Sequence, residues 1–171
     1  MQTTLYGADV VLRPATADDI PVLAAIRGEP EVYARWRGGK DLEAAVADDL
    51  ASPGEFTYAI EYEGRIIGAI QWSQESDPDY RHANIDIYLT SPLHGRGLGT
   101  DAVRTLARHL LTERDHHRIT IDPAADNVAA IRCYRKVGFR PVGIMRQYER
   151  GPDGTWHDSL LMDLLAADLT N

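Results

Sequence analysis

The 171 residues suffice for one domain with a substantial core, 1–171, and are too few for two. Hydrophobic residues at 44% and charged residues at 26% are an ordinary balance for a water-soluble chain, and no apolar run is long enough to span a membrane. Eighteen basic against 26 acidic residues leave a net charge of −8, which speaks against a nucleic-acid footprint and suits a cationic substrate.

The opening MQTTLYGADV lacks the basic and apolar regions of a signal peptide, so a cytoplasmic location is expected. VVLRPAT predicts a strand ending at Pro14. Thr16 and Asp19 form a capping pair for a helix that continues through Ile20, Leu23, Ala24 and Arg27. A second helix starts near Asp41, carries Leu42, Ala45, Val46, Asp49 and Leu50 at helical spacing, and stops at Ser52-Pro53-Gly54. The period then falls to two: FTYAIEYEGRIIGAIQW predicts a hairpin around Glu63-Gly64. An acidic loop, SQESDPDYRH, leads into the strand ANIDIYLT, which Pro92 closes.

Beyond the glycine-rich LHGRGLGTDAV, Val103, Leu106, Ala107, Leu110 and Leu111 recur as one face of an amphipathic helix. HRITID is a short strand ending at Asp122-Pro123. NVAAIRCYRKV is a helix closed by Gly138, and its Cys133, alone in the chain, excludes an internal disulfide. With neither HExxH nor paired CxxC, no metal is expected. FRPVGIMRQYER and TWHDSLLMDLL pair around Pro152-Asp153-Gly154. This order indicates an α/β (α+β) fold with a mixed sheet of about seven strands and about four helices. Apolar strand edges in the last hairpin suit a homodimer.

Gly95, Gly97 and Gly99 alternate between a strand and a helix start, where free first-turn amides and the helix dipole favour an anion. A Walker loop is excluded, because Thr100 and Asp101 follow Gly99 where Lys-Ser/Thr is needed. A dinucleotide GxGxxG begun at Gly97 reaches Ala102 only in its looser variant, with Asp122 at about the right distance. Taken alone, the glycines also fit a flexible turn with no ligand.

The segment DNVAAIRCYRKVGF decides between these readings. Asn127, Ala130, Ile131, Tyr134, Gly138 and Phe139 match the N-x-x-A-I-x-x-Y-x-x-x-G-F segment of GNAT N-acetyltransferases, and His94 to Gly99 is similar to their [QR]-x-x-G-x-[GA] signature, with His94 departing at its first position. The chain resembles the GNAT superfamily. That resemblance implies a GNAT fold and acetyl-CoA as acyl-donor substrate. Amides from Gly95 through Arg96, Gly97, Leu98 and Gly99 to Thr100, beside His94, would bind the pyrophosphate. The strand from Ile85 to Leu89, with Thr90, would pair with the pantetheine arm, which Asn127 and Ala130 would meet from the opposite side. Tyr134 would protonate or hydrogen-bond the departing thiolate; without the motif it reads as a core aromatic. Cys133 reads as a small core side chain rather than a nucleophile.

A primary ammonium must lose a proton before it attacks a thioester. Asp86, between Ile85 and Ile87 on a strand, needs a partner or a task there. Asp122 is a second candidate, alongside its reading as an Asp-Pro turn. TIDPAADNVAAIRCYRKVGF resembles the D-P-S-x-x-N-x-R-A-I-R-C-Y-E-K-A-G-F stretch of aminoglycoside 6'-N-acetyltransferases, and IDIYL their I-D-x-x-L strand. This implies that Asp86 and Asp122 bind the amino sugar and supply the base, with Trp36 as a substrate wall; Trp36 also fits a hydrophobic helix-end anchor. Trp156, in the last hairpin, would line the acceptor cleft, whereas the adjacent His157 and Asp158 point to opposite faces and do not form a pair. Glu75, Asp77 and Asp79 offer further cation-binding charge. The rival readings are an acyltransferase for another small amine, of lysine or siderophore type, or for a protein N-terminus, and a non-catalytic acyl-CoA sensor.

Overall fold

The computed structural model describes residues 2–171. In chain order the elements are β1 (Leu5–Tyr6), β2 (Val11–Pro14), α1 (Ile20–Arg27), α2 (Pro30–Trp36), α3 (Leu42–Ala51), β3 (Glu55–Tyr62), β4 (Arg65–Glu75) and β5 (His82–Leu89), then α4 (Leu98–Thr112), β6 (Arg118–Ile121), α5 (Val128–Val137), β7 (Arg140–Arg150) and β8 (Trp156–Leu165). The strands form one mixed sheet in the order β1-β2-β3-β4-β5-β6-β8-β7. Among the described residues, eight strands and five α-helices exceed the expected seven and four by β1 and α2. Two residues of β1 and seven of α2 are too short to show a period.

Strand alternation gives the sheet two apolar faces. Ala83, Ile85, Ile87 and Leu89 of β5 join the core that α4 covers with Leu98, Val103, Leu106 and Leu110, to which α5 adds Tyr134 and Val137. On the other face Ala69 and Tyr88 pack against Leu23, Ile26, Val32 and Val46 of α1 to α3. Full burial of each large aliphatic side chain contributes roughly 1.5–3 kcal/mol. Asp101, on the first turn of α4, anchors that helix to the chain start by accepting from the amides of Ala8, Asp9 and Val10 at 2.9, 2.8 and 3.0 Å.

The site follows from a break in pairing. β4 and β5 are hydrogen-bonded along the whole of β5. The parallel pair β5–β6, by contrast, is registered only at Ala83↔Ile119 and Asn84↔Thr120. From Ile85 onward the two strands part, and a gap opens in the sheet at their C-terminal ends, where the loops to α4 and α5 begin.

Candidate active site

The loop after β5 reaches α4 through Gly95 and Gly97, at φ +75° and +81°. A Cβ added at either position would meet nothing within 4 Å, so the left-handed backbone, not packing, requires glycine there. Gly99 differs: its φ is not positive, and a Cβ there would lie 3.2 Å from Leu89 Cδ1. Among the described residues the amides from Gly95 to Thr100 have no hydrogen-bond partner, and the first paired amide is that of Asp101, donating to Gly97 O. A 15-residue helix thus begins with its positive end bare. His94 folds back over this loop, donating Nε2–H to the Leu89 carbonyl at 2.8 Å.

A cleft of about 410 Å³ crosses the sheet at the gap. Leu89, His94, Gly95, Gly97, Leu98, Gly99, Thr100, Asn127, Ala130 and Tyr134 line it, and Trp36 closes its far wall. Two residues of the expected cofactor set lie outside the lining. The Thr90 hydroxyl donates to Glu29 at 2.5 Å, and the Arg96 guanidinium sits 5.8 Å from the centre of the Tyr62 ring. Asn127 caps α5 by accepting from the Ala130 amide at 3.3 Å, which leaves its side-chain NH₂ available to the cleft. Trp36 packs edge-on against Tyr88 with centroids 4.8 Å apart, so it is a helix-end anchor and a cleft wall together. Cys133 also faces the cleft, 3.2 Å from Thr100 Oγ1, and burial pushes its thiol up, leaving it neutral and a poor nucleophile at neutral pH.

Tyr134 projects from α5 and is buried at 7% exposure. Burial, with Cys133, Asp86 and Asp122 nearby, pushes its phenol well above the usual range. Asp86 stands on β5 just past its last pairing with β6, and neither it nor Asp122 is among the residues lining the cleft. Burial, then the charges of Asp122, Glu149 and Glu55, push its carboxyl up to about 7. Asp122 follows β6 and is likewise raised by burial, against which the Tyr148 hydroxyl, donating to Oδ2 at 3.2 Å, acts to lower it. The arrangement sets a protonated phenol within electrostatic reach of two raised carboxyls, of which Asp86 is poised to exchange a proton near neutral pH.

A second cleft, of about 590 Å³, lies between the end of α2, the loop before α5 and the β7–β8 hairpin. Trp156, 59% exposed, lines it with Glu149, Asp126, Asp158, Arg35 and Arg37. Arg35 borders both clefts and pairs with Asp126 at 2.6 Å, while Arg37 pairs with Glu149. His157 and Asp158 take separate partners, the Asp153 carboxylate and the Gln147 amide. Neither cleft is lined by Glu75, Asp77 or Asp79; Glu75 and Asp77 accept amides of their own loop. Arg37, Tyr148 and Glu149 escape sequence reasoning, because a short helix and a strand irregularity deliver them. Among the described residues no group of three or more His, Cys, Asp or Glu is placed to hold a metal, and no helix is long and apolar enough to cross a membrane.

Comparison with known proteins agrees with this geometry. A family model described as an acetyltransferase (GNAT) domain matches residues 9–140. An aminoglycoside N(6')-acetyltransferase type 1 from Klebsiella pneumoniae is 30% identical over 164 residues, covering 85% of this chain and 79% of that protein. Among solved structures, AAC(6')-Ib in complex with paromomycin and acetyl-CoA is similar with a TM-score of 0.78 and 27% identity, over 94% of this chain and 95% of that one. Mycobacterium smegmatis RimJ in complex with CoA-disulfide has a TM-score of 0.85 at 23% identity, over 99% and 90% of the two chains, a likeness of fold. The bare helix start, the parted strands and the matched sequence lead to one conclusion: the chain belongs to the GNAT family of acetyltransferases.

Proposed function

We propose that the chain, as one domain, transfers the acetyl group of acetyl-CoA to a primary amine of a polycationic amino sugar of the aminoglycoside class. The observation that carries this reading is the acidic ground between two clefts that share Arg35: Glu149 lines the second cleft, and Asp86 and Asp122 lie within electrostatic reach of both Glu149 and Tyr134. The relatives that act on aminoglycosides support the same acceptor class.

In this reading the amides from Gly95 to Thr100 hold the pyrophosphate. The unpaired edge of β5 beyond Asn84 and the Asn127 NH₂ hold the pantetheine, which places the thioester in the gap. Asp86 or Asp122 binds the acceptor ammonium and takes one proton from it. The free amine adds to the thioester carbonyl, forming the C–N bond; collapse breaks the C–S bond, and the second nitrogen proton passes to the departing thiolate, which leaves the neutral amide and the free thiol of coenzyme A. Tyr134 is a hydrogen-bond donor to that thiolate rather than a full acid. Its phenol is held well above the thiol range of about 8.5, so complete transfer of its proton is uphill. A cytosolic setting, where acyl-CoA is made and used, goes with this reading.

The test is release of free thiol from acetyl-CoA across a panel of kanamycin-type drugs, lysine derivatives, polyamines and short peptides. Efficient turnover confined to amino sugars with a free 6'-amine is the expected result. Preference for another amine overturns the acceptor assignment, and tight acetyl-CoA binding with no turnover on the whole panel overturns the enzymatic one.

A further inference from the structure

Glu149 does not stand free in the acceptor cleft. It is the residue at which β7 regains its pairing with β8 after an irregularity, and it faces back across the cleft to the end of α2, where the Arg37 guanidinium donates to its carboxylate. Arg37 is an unusual choice for that place. It ends the helix at φ +56°, a conformation that costs a non-glycine residue on the order of 1 kcal/mol or more, and the two residues after it, Gly38 and Gly39, also have positive φ. The turn is held by the Arg37 amide, which donates to Tyr33 O at 3.1 Å, and by the Arg37 carbonyl, which accepts from Arg27 Nη2 at 2.6 Å. Arg27 is itself buried and paired with Asp49 at 2.8 Å. A chain of contacts from the protein interior therefore fixes the point from which the guanidinium extends over the cleft.

The pair is only partly exposed, with 25% of the arginine side chain and 36% of the glutamate open to solvent. The neighbouring Arg35–Asp126 pair is much more open, at 45% and 79%. Without Arg37, Glu149 would be an uncompensated carboxylate close to Asp86 and Asp122. With it, a cation already occupies the position that a second ammonium of a polyamine would take.

We infer that Arg37 sets the acceptor's charge requirement: it is the resident counter-ion of Glu149, and an acceptor gains its second ionic contact by putting an ammonium in the guanidinium's place. This rests on the amine-acceptor reading above and goes beyond it in naming the acceptor as at least a dication and the residue that competes with it. A single amine, lodged at Asp86 and Asp122, leaves the Arg37–Glu149 pair intact. A diamine of suitable span displaces it.

The test is equilibrium binding, by calorimetry with coenzyme A bound, of 2-deoxystreptamine, kanamycin and the monoamine glucosamine. The proteins are the parent, Arg37→Gln, Glu149→Gln and the double variant, each checked for an unchanged melting temperature. Arg37→Gln is expected to tighten the diamine and kanamycin about 2- to 5-fold, the size of one partly exposed ion pair, and to leave glucosamine unchanged. The gain disappears in the Glu149→Gln background, and Arg35→Gln does not reproduce it. No gain from Arg37→Gln, or a gain that survives removal of Glu149, overturns the inference. The failures are distinguishable: if kanamycin is acetylated while the cycle is flat, only this inference falls. If no aminoglycoside is turned over while simple diamines show the cycle, only the drug-class acceptor falls; if no amine binds any variant, both fall.

Discussion

Tyr148 donates its hydroxyl hydrogen to Asp122 Oδ2 across 3.2 Å, joining the outermost strand to the end of β6 at the sheet's gap. The contact depends on an irregularity in β7. Met145 pairs with Ser159 and Glu149 with His157, so residues 146–148 stand opposite Asp158 alone. Gln147 takes φ +49° there, and its amide is held by the Asp158 carboxylate at 2.8 Å. The extra residues aim the Tyr148 hydroxyl at Asp122 and bring Glu149 to the cleft.

Tyr148→Phe removes the hydrogen bond that lowers the Asp122 carboxyl, whose burial already raises it. The acid limb of the kcat/KM profile is expected to move to higher pH, so that the variant loses more activity at pH 6 than at pH 8. A pH–rate profile measured from pH 5 to 9 checks this; an unshifted limb detaches Asp122 ionisation from the reaction.

Tyr134→Phe deletes a buried donor without opening a cavity. Expected is a kcat lowered by about 10- to 100-fold, within the range for a group acting on a developing charge, with acetyl-CoA affinity nearly unchanged. Steady-state kinetics with direct acetyl-CoA titration separates the two effects. Equal losses in kcat and affinity would make Tyr134 a packing residue, consistent with its edge-on contact to Phe139 at 6.2 Å.

Asp86 ties stability to pH with a definite sign. Its carboxyl sits near 7 in the folded chain against about 3.9 for an unfolded one, so between these values the native state holds a proton that the unfolded state releases. Its contribution to stability is therefore present below about pH 4 and is lost as pH rises through 7. Asp86→Asn is expected to be more stable than the parent at pH 8 by about 1–3 kcal/mol, with little difference at pH 4, while its turnover falls. Urea unfolding at the two pH values measures this; a variant less stable at pH 8 than its parent would place a needed ionic partner at Asp86.

Much of this site is legible in the sequence, for identifiable reasons. The helix face through Val103, Leu106, Ala107 and Leu110 is a long periodic signal, and the structure buries all four completely. Gly95 and Gly97 announce a backbone that other residues resist, and Gly138 marks a helix end at φ +118°. What stays hidden depends on short or aperiodic structure. Pro30 begins the seven-residue α2, where its missing amide costs nothing, yet that helix carries Arg35, Trp36 and Arg37 into the clefts. Tyr148 and Glu149 sit in a strand whose alternation fails over the residues that matter, so no pattern of period two assigns their direction. Thr90 and Arg96 lie within the motif by position, but their side chains are engaged by Glu29 and Tyr62 outside the cleft.

Gly97→Ala separates backbone from packing. The added Cβ meets nothing, so its stability cost is the φ +81° conformation, about 1–2 kcal/mol. If the loop holds the pyrophosphate as proposed, acetyl-CoA affinity is expected to fall by 10-fold or more, because the methyl group would stand in the open space before the helix start. Calorimetry and thermal unfolding on the same preparation report both quantities; unchanged affinity would remove the loop from the cofactor site.

The most direct measurement is the NMR structure of the product formed from kanamycin and acetyl-CoA, followed in time with the parent protein and with Tyr134→Phe. A single acetyl group on the 6'-nitrogen, appearing at a rate the variant lowers, is the expected result. Thiol release without an acetylated amino sugar, or acetylation that Tyr134→Phe leaves at full rate, contradicts the site and the chemistry assigned to it.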